Sequence, residues 1–431
     1  MGNMEHFSEL IQEIKMRTSI IIIITMLFSS CSLFDREQLE KDADGAIIGM
    51  EPLWGKELAD NPNGLGMGSS VSKDGYSLFI RHFNGQDEFV WVEAETGKDK
   101  WVWDGVQRKE NDIQPDNVIV NEDYISLSKV HFFQLDLNTG NPNVYFTRDD
   151  GIGGGAFERF TKIGGKFYCI RTFEEMGDGK LSSVIYQVDD QNKQLSFFLE
   201  PQYPKENEVS SSSGLVGAIM NVKSYQLNGK QYLVMVLNDY GADSNSQSDN
   251  YLAIYNLSES SWEFEAIPVS LNSDLNAGTS LEVYNGKAYL NSERQIHCYD
   301  ILTGELVWEQ NFEGNFQFSG FAIGDSMLVG NCNEANTYGV DPDTGEIIWK
   351  VESGGTTSPI AFMNGVAYFS GGSDGRLNAI DIQSGKYIWK LEPPGSSNWK
   401  RHVAVVPGDG NRSDLIVAST YKEYMAFPAA R

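Results

Sequence analysis

The sequence predicts an all-β chain: an eight-bladed β-propeller of four-stranded antiparallel blades, closed by pairing of its N- and C-terminal strands. Three observations predict this fold. A short motif recurs about every forty residues, each repeat has room for four short strands, and each end of the chain leaves an incomplete blade. Repeats of this length made of short strands are typical of propeller blades.

The motif is clearest in the last third of the chain, where three copies read D-x-x-[TS]-G-x-x-x-W at spacings of 41 and 40 residues. Their defining residues are Asp300, Gly304 and Trp308, then Asp341, Gly345 and Trp349, then Asp381, Gly385 and Trp389. The Asp can accept hydrogen bonds from the turn that follows it, and Gly supplies the positive φ of that turn. The Trp stands on the outermost strand, where we expect it to fill the wedge between blades.

Four weaker copies precede these three, and they begin at Glu93, Asp136, Asp189 and Asn256. The first of them keeps its tryptophan, Trp101, whereas the third and fourth lose the motif glycine. The chain therefore contains seven internal copies of the repeat.

The seventh repeat shows how one blade is built. Residues 357–363, 366–371, 377–382 and 386–391 read as four strands, and Asn364-Gly365 separates the first two. Asn-Gly is the preferred two-residue hairpin turn, because both positions take a positive φ.

The two ends of the chain supply the eighth blade. Residues 402–407, 415–420 and 422–427 read as three strands without a fourth, while residues 51–58 read as a lone outer strand that contains Trp54. A propeller removes its exposed sheet edges by completing one blade from both termini. We therefore predict one propeller over residues 51–431.

Residues 1–30 read as a lipoprotein signal peptide. Lys15 and Arg17 precede an apolar run over residues 19–28, which is long enough for a secretory signal but too short to span a bilayer. The run ends at two serines followed by Cys31, which we expect to be lipidated after cleavage. The alternatives are an ordinary cleaved signal with a free cysteine, or a buried strand.

The start of translation stays open between Met1 and Met16, and Met16 suits a signal better because acidic residues precede it. Residues 31–50 are polar and charged, which is typical of a tether that holds a domain away from the lipid surface.

Net charge excludes one class of partner. The chain carries a formal charge of −27, and cleavage before Cys31 leaves 31 basic against 57 acidic residues. A nucleic-acid backbone would be repelled by this charge, and no cluster of Lys or Arg offsets it. We expect a monomer that binds no nucleic acid.

The repeat resembles the PQQ-like, quinoprotein-type propeller repeat, and the resemblance covers about residues 51–431. It implies one of two kinds of protein: a periplasmic quinoprotein dehydrogenase, or a non-catalytic lipoprotein of outer-membrane assembly. The dehydrogenases are longer and hold their quinone beneath a disulfide between adjacent cysteines, and no two cysteines are adjacent here. The resemblance thus favours a lipoprotein without catalytic residues and without a cofactor.

The remaining chemistry of the sequence is sparse. His82, His131, His297 and His402 belong to different blades, so we expect no metal site. Asp42-Ala-Asp44-Gly45 hints at a calcium loop but lacks further ligands, and a solvated tether suits it better. A bridge between Cys298 and Cys332 stays open.

Two expanded turns offer a surface for a partner. They run over residues 173–181 of blade three and 238–250 of blade four, and antiparallel wiring puts them on one face of adjacent blades. The candidate partner-binding residues are Phe173, Glu174, Glu175, Asp178, Asp239, Tyr240, Asp243 and Asp249. Solvated insertions without function are the alternative.

These observations predict a non-enzymatic, membrane-anchored scaffold of the bacterial cell envelope that binds an envelope or outer-membrane protein. The alternatives are a propeller that binds a small molecule or glycan, and a quinone-dependent dehydrogenase.

Overall fold

The computed structural model describes residues 39–59, 67–83, 86–106, 118–128, 132–146, 157–175, 181–189, 194–204, 215–239, 248–273, 280–314, 320–355, 358–394 and 398–430. Within these ranges the chain forms 32 β-strands. Nowhere in them is there a helix with the length and apolarity needed to cross a membrane. The predicted signal peptide and Cys31 lie outside the described residues.

The first four blades follow one another along the chain, each with its innermost strand first. The strands of blade one are β2 Met67–Lys73, β3 Tyr76–Phe83, β4 Gln86–Glu93 and β5 Asp99–Val106. Those of blade two are β6 Val118–Val120, β7 Tyr124–Ser128, β8 Phe132–Asp136 and β9 Pro142–Phe146. Those of blade three are β10 Phe157–Ile163, β11 Lys166–Glu175, β12 Leu181–Asp189 and β13 Gln194–Leu199. Those of blade four are β14 Leu215–Leu227, β15 Lys230–Asp239, β16 Ser248–Asn256 and β17 Ser261–Ser273.

The next three blades have shorter strands. Blade five consists of β18 Leu281–Tyr284, β19 Lys287–Asn291, β20 Gln295–Asp300 and β21 Leu306–Asn311. Blade six consists of β22 Phe321–Gly324, β23 Met327–Cys332, β24 Asn336–Val340 and β25 Ile347–Glu352. Blade seven consists of β26 Ala361–Met363, β27 Val366–Ser370, β28 Leu377–Asp381 and β29 Tyr387–Leu391.

Blade eight is shared between the two ends of the chain. It consists of β30 Trp399–Val406, β31 Leu415–Thr420, β32 Glu423–Pro428 and, as its outermost strand, β1 Trp54–Glu57. The antiparallel pair β1–β32 joins Trp54 to Ala426 and Glu57 to Glu423. Each innermost strand contacts the innermost strand of the next blade, including β30 with β2. The predicted eight-bladed propeller is confirmed, and pairing of the terminal strands completes it.

The hairpin turns have the predicted backbone. At Asn285-Gly286 and Asn364-Gly365 both central residues have positive φ, between 47° and 75°. This matches the type I′ turn that the right-handed twist of the strands favours.

A tryptophan latch joins several pairs of blades. The Trp of one outermost strand lays its ring against the motif glycine of the next blade and donates its indole N–H to a carbonyl there. The latches are Trp54 to Ala94 O (2.7 Å), Trp101 to Leu137 O (3.0 Å), Trp308 to Pro342 O (3.0 Å) and Trp349 to Ile382 O (2.6 Å). Trp389 is buried instead in the core between blades seven and eight.

Two constraints, a positive φ and a close contact with an indole ring, require glycine at the motif position. Gly345 and Gly385 have φ of 76° and 69°, and a Cβ on either would lie 2.7 Å from the indole of the preceding blade's Trp. The motif Asp fixes the same turn, since the Asp300 carboxylate accepts the N–H groups of Leu302 and Thr303, each at 2.9 Å.

Residues 39–50, which we call the strap, differ from the expected solvated tether. They lie along the outer edge of blade seven, where Ile47 pairs in parallel with Trp389 and Ala46 is fully buried. The apolar residues Ala46, Ile47 and Ile48 explain the difference, because within an otherwise polar stretch they pack on blade seven and Ile47 forms a β-bridge to Trp389.

Candidate functional site

Blades three and four are fused into one sheet. At the start of β14 the chain pairs in parallel with the start of β12, through Leu181↔Leu215 and Ser182↔Gly217. The two blades thereby form a single eight-stranded sheet, whereas the other described blades are separate four-stranded sheets. We call this junction the fused seam.

Gly217 and Tyr203 show why the fused seam forms here. Tyr203 is 2% exposed, and its hydroxyl donates to the carbonyl of Ser183 in blade three at 3.1 Å. A Cβ on Gly217 would lie 2.2 Å from the Tyr203 ring and 2.8 Å from the carbonyl oxygen of Asn238. Only glycine lets the β14 backbone come this close to blade three.

The fused seam places both predicted hairpins in one cross-strand row. Register pairs link Glu174 to Ser182, Ser182 to Gly217, Gly217 to Asp239 and Asp239 to Asp249. Neighbouring strands in a sheet lie about 4.8 Å apart, so these five positions form a continuous line across two blades. Three of the eight predicted partner-binding residues lie on it.

Asp239 and Asp249 are not surface residues, in contrast to the sequence prediction. β15 runs to Asp239 and β16 begins at Ser248, so both aspartates belong to strands, and they are 0% and 4% exposed. The sequence suggested a loop because polar residues dominate residues 238–250. The structure instead continues the hairpin, and Asp239 and Asp249 cannot be the exposed partner contacts that we expected.

Asp239 and Asp249 affect the ionisation of Tyr251, and Asp249 also accepts its hydrogen bond. The Tyr251 hydroxyl donates to Asp249 Oδ2 at 3.3 Å. Burial, together with the nearby Asp249 and Asp239 charges, raises the pKa of Tyr251 to about 12. Tyr251 therefore stays a neutral hydrogen-bond donor at the end of the blade-four hairpin.

The other predicted partner residues divide into two groups. Phe173, Glu174 and Glu175 form the last three residues of β11, and Glu175 is paired with Leu181. Asp178, Tyr240 and Asp243 lie outside the described residues.

Sequence reasoning missed the buried polar residues beside the fused seam. Arg171 is 0% exposed and lies over the Tyr186 ring at 5.6 Å, while Asn250 donates to Ser270 Oγ at 2.9 Å. A positive charge directly after the apolar run over residues 167–170 was the available signal for Arg171, since buried arginines are rare. No comparable signal marks Asn250, which resembles many loop asparagines.

The cysteines of the described residues are buried and free. Cys298 and Cys332 lie in the same core between blades five and six without a disulfide, and Cys169 lies between blades two and three. Burial raises the pKa of Cys169 and of Cys298 to about 12, so the reactive thiolate is disfavoured.

Two titratable side chains away from the fused seam, His82 and Asp42, have specific partners. His82 Nδ1 lies 2.6 Å from Asp87 Oδ1, and Asp42 is bound by the strap's own backbone and by Lys390. Among the described residues no three His, Cys, Asp or Glu side chains come together as metal ligands would.

The repeated blades, the Thr-Gly turns and the tryptophan latches together define a PQQ-like β-propeller. A family model described as "Outer membrane protein assembly factor BamB" matches residues 253–431, from blade four to the C-terminus. The chain is therefore a PQQ-like propeller that resembles BamB. No curated protein matches the chain by sequence.

Solved structures share the fold at low sequence identity. The quinohemoprotein alcohol dehydrogenase of Comamonas testosteroni aligns with a TM-score of 0.61 at 11% identity, over 88% of this chain and 77% of the enzyme. The computationally designed protein Ika8 aligns with a TM-score of 0.58 at 12% identity, over 87% of this chain and 100% of the design. BamB from Moraxella catarrhalis aligns with a TM-score of 0.48 at 11% identity, over 87% of this chain and 97% of BamB.

Proposed function

We propose that the protein is a non-enzymatic, lipid-anchored scaffold of the bacterial envelope that binds an envelope or outer-membrane protein at the fused seam. One observation carries the site: a continuous sheet holds two long hairpins side by side, with Glu174, Asp239 and Asp249 in one row. Binding residues are typically placed on hairpins and loops that a rigid scaffold positions. The match of residues 253–431 to the BamB family model supports a role in outer-membrane protein assembly.

The acidic residues at the end of β11 are the proposed partner contacts. Glu174 lies on the row in blade three and Glu175 follows it along β11, whereas Asp249 accepts a hydrogen bond from Tyr251 and Asp239 is fully buried. We therefore expect a partner surface that carries Lys or Arg, because acidic and basic patches steer each other during association.

Charge reversal with a matched control tests this contact. The double variant Glu174→Lys and Glu175→Lys is compared with Glu293→Lys and Glu334→Lys, which change the same charge at corresponding turns of blades five and six. Affinity capture from solubilised envelope should recover the partner with the native protein and with the blade-five and blade-six variant. Equal recovery with the β11 variant would show that the proposed contact is wrong.

The proposed lipid anchor has its own test. Cys31→Ala should move the protein from the membrane fraction to the soluble fraction, because the diacylglycerol attachment point is lost. If the variant stays with the membrane, the anchor is not at Cys31.

The absence of enzymatic activity is part of the proposal and is tested directly. Two features support it: the sequence contains no adjacent cysteines, and Cys169, Cys298 and Cys332 pack in cores between blades. The residues present therefore do not fit a quinone held beneath a disulfide. Dye reduction with added pyrroloquinoline quinone, calcium and primary alcohols should show no turnover, and turnover would overturn the scaffold proposal.

A further inference from the structure

The strap is held to blade seven by backbone hydrogen bonds around a parallel β-bridge. Ile47 N–H donates to Ile388 O at 2.8 Å, Lys390 N–H donates to Ile47 O at 2.8 Å, and Glu392 N–H donates to Ile48 O at 3.0 Å. The strap thus covers the outer edge of β29, an edge that would otherwise present unpaired backbone groups.

Side chains hold the strap in the same place. Ala46 is 0% exposed, and Ile47 and Met50 pack against the core between blades seven and eight. Asp42 accepts the backbone N–H groups of Asp44 and Ala46 and forms an ion pair of 3.0 Å with Lys390. The hydrogen bond from Lys390 lowers the pKa of Asp42, so this pair stays charged at neutral pH. The strap is therefore a fixed part of the propeller.

Charge is distributed unevenly around the ring. Residues 358–430, which supply blade seven and most of blade eight, contain seven Lys or Arg against six Asp or Glu. With the strap residues 39–50 added, the balance is eight against nine. Residues 280–355, which form blades five and six, contain three against twelve. The two blades beside the strap are thus nearly neutral in a strongly acidic protein.

We infer that the outer rim of blades seven and eight faces an anionic lipid bilayer, and that blades three and four point away from it. The inference rests on the proposed lipid anchor at Cys31. Seven residues lie between Cys31 and the first strap residue, Leu39, and the eight Cα–Cα steps from one to the other span roughly 29 Å at most. The strap edge of the propeller is therefore the part that the anchor holds nearest to the lipid.

Electrostatics favours blades seven and eight over blades five and six. Residues 157–199 of blade three, with six Lys or Arg against six Asp or Glu, are equally neutral, so the anchor and the strap decide between these two sides. An anionic bilayer surface repels acidic groups within about a Debye length, which is near 8 Å at physiological ionic strength. Blades seven and eight, which are nearly neutral in total, avoid this repulsion, whereas the acidic blades five and six do not. In a ring of eight, blade three lies opposite blade seven, so the fused seam would be presented to partners far from the lipid.

Energy transfer to labelled lipids tests the orientation. Gln383→Cys in blade seven and Asn138→Cys in blade two occupy the same position of the motif, and both native residues are exposed. The described native cysteines are buried, so a maleimide dye reacts with the introduced thiol in preference to them. The lipidated full-length protein is placed in vesicles of phosphatidylethanolamine and phosphatidylglycerol that contain acceptor-labelled lipid. Transfer from position 383 should exceed transfer from position 138.

Two variants connect this excess to the strap. Ile47→Pro removes the N–H that donates to Ile388 O and should abolish the excess while circular dichroism shows a folded propeller. If Ile47→Pro fails to fold, a long Gly/Ser insertion after Ser32 lengthens the tether and leaves the strap intact, and it should reduce the excess.

The outcomes separate the two proposals. Vesicle flotation reports the anchor: if the protein fails to float with the vesicles, the anchor and the orientation both fall. If it floats but both labels give equal transfer, the orientation is wrong and the anchor stands.

Discussion

The seams of blades five to seven and the fused seam of blades three and four close the same ring by different means. Trp308 and Trp349 latch blade five to six and blade six to seven, each through an indole N–H to a carbonyl of the next blade. Blade three contains no tryptophan in its sequence, and β12–β14 pairing joins it to blade four. At blade three, backbone pairing takes the place of the latch. The comparison teaches that a degraded repeat marks a seam that is built differently and not one that is missing.

Removal of a latch tryptophan should give the largest effect. Trp349 is 8% exposed and donates to Ile382 O at 2.6 Å, so Trp349→Ala should lower the free energy of unfolding by about 3–5 kcal/mol. The corresponding residue of blade three, Phe197, is 55% exposed, and Phe197→Ala should cost less than about 1 kcal/mol. Chemical denaturation measures both. Similar losses from the two variants would contradict the distinction between latched and fused seams.

The motif glycine should show the next largest effect. Gly385→Ala forces an L-residue to a φ of 69° and puts its Cβ 2.7 Å from the Trp349 indole, so we expect a loss of about 2–4 kcal/mol. Gly365→Ala is the matched control, because its φ is 75° but no atom lies within 4 Å of the new Cβ. The difference in unfolding free energy between the two variants isolates the contact with the latch. No difference would mean that the backbone strain alone requires glycine.

The fold could be predicted from the sequence because its signals are local and repeated. The Asp-Thr-Gly turn, the Asn-Gly hairpin and the latch tryptophan each act within one blade or between adjacent blades, so spacing alone revealed the ring. The fused seam could not be predicted in this way. It depends on Gly217 meeting Tyr203 and on register between β12 and β14, which are contacts that no local pattern encodes.

The candidate site was predicted only at the level of its position. The hairpins of blades three and four do lie on one face of adjacent blades, as wiring requires. The burial of Asp239 and Asp249 was not foreseeable, because acidic residues are almost always exposed and polar sequence favours a loop. The strap was missed for the opposite reason: the charged residues before Ala46, Ile47 and Ile48 concealed a short apolar segment that packs on blade seven.

Crowding at the fused seam should cost less stability than loss of a latch but should affect binding more. Gly217→Ala puts a Cβ 2.2 Å from the Tyr203 ring, and the strands must separate to accept it. We expect a loss of about 1–3 kcal/mol in unfolding free energy. Partner recovery should fall as well, because β14 aligns the two hairpins.

Gly286→Ala is the control for this variant. Its new Cβ would lie at an ordinary contact distance of 3.5 Å from Leu227, and the alanine would be strained only by the φ of 74°. It should lower stability and leave partner recovery unchanged. If Gly217→Ala binds its partner normally, alignment of the hairpins by the fused seam is not needed for binding.

The seam between blades four and five is intermediate and should give the smallest effect, visible only as a dependence on pH. Phe264 takes the place of the latch tryptophan against Gly304, and His297 stacks on Tyr299, whose hydroxyl donates to Pro268 O of blade four. Burial lowers the pKa of His297 below 6.5, and Glu309 opposes this only in part.

The sign of the effect follows from proton binding. Below a pH of about 6.5 the unfolded chain protonates this histidine before the folded protein does, so the free energy of unfolding falls as the pH decreases through that value. Above it both states are neutral and the contribution to stability is complete. His297→Gln should therefore lose less stability than the native protein between about pH 7.5 and about pH 5.5, measured by urea denaturation. An equal loss in both proteins would show that groups other than His297 cause the acid sensitivity. The seam between blades four and five would then be no more sensitive to acid than the latched seams.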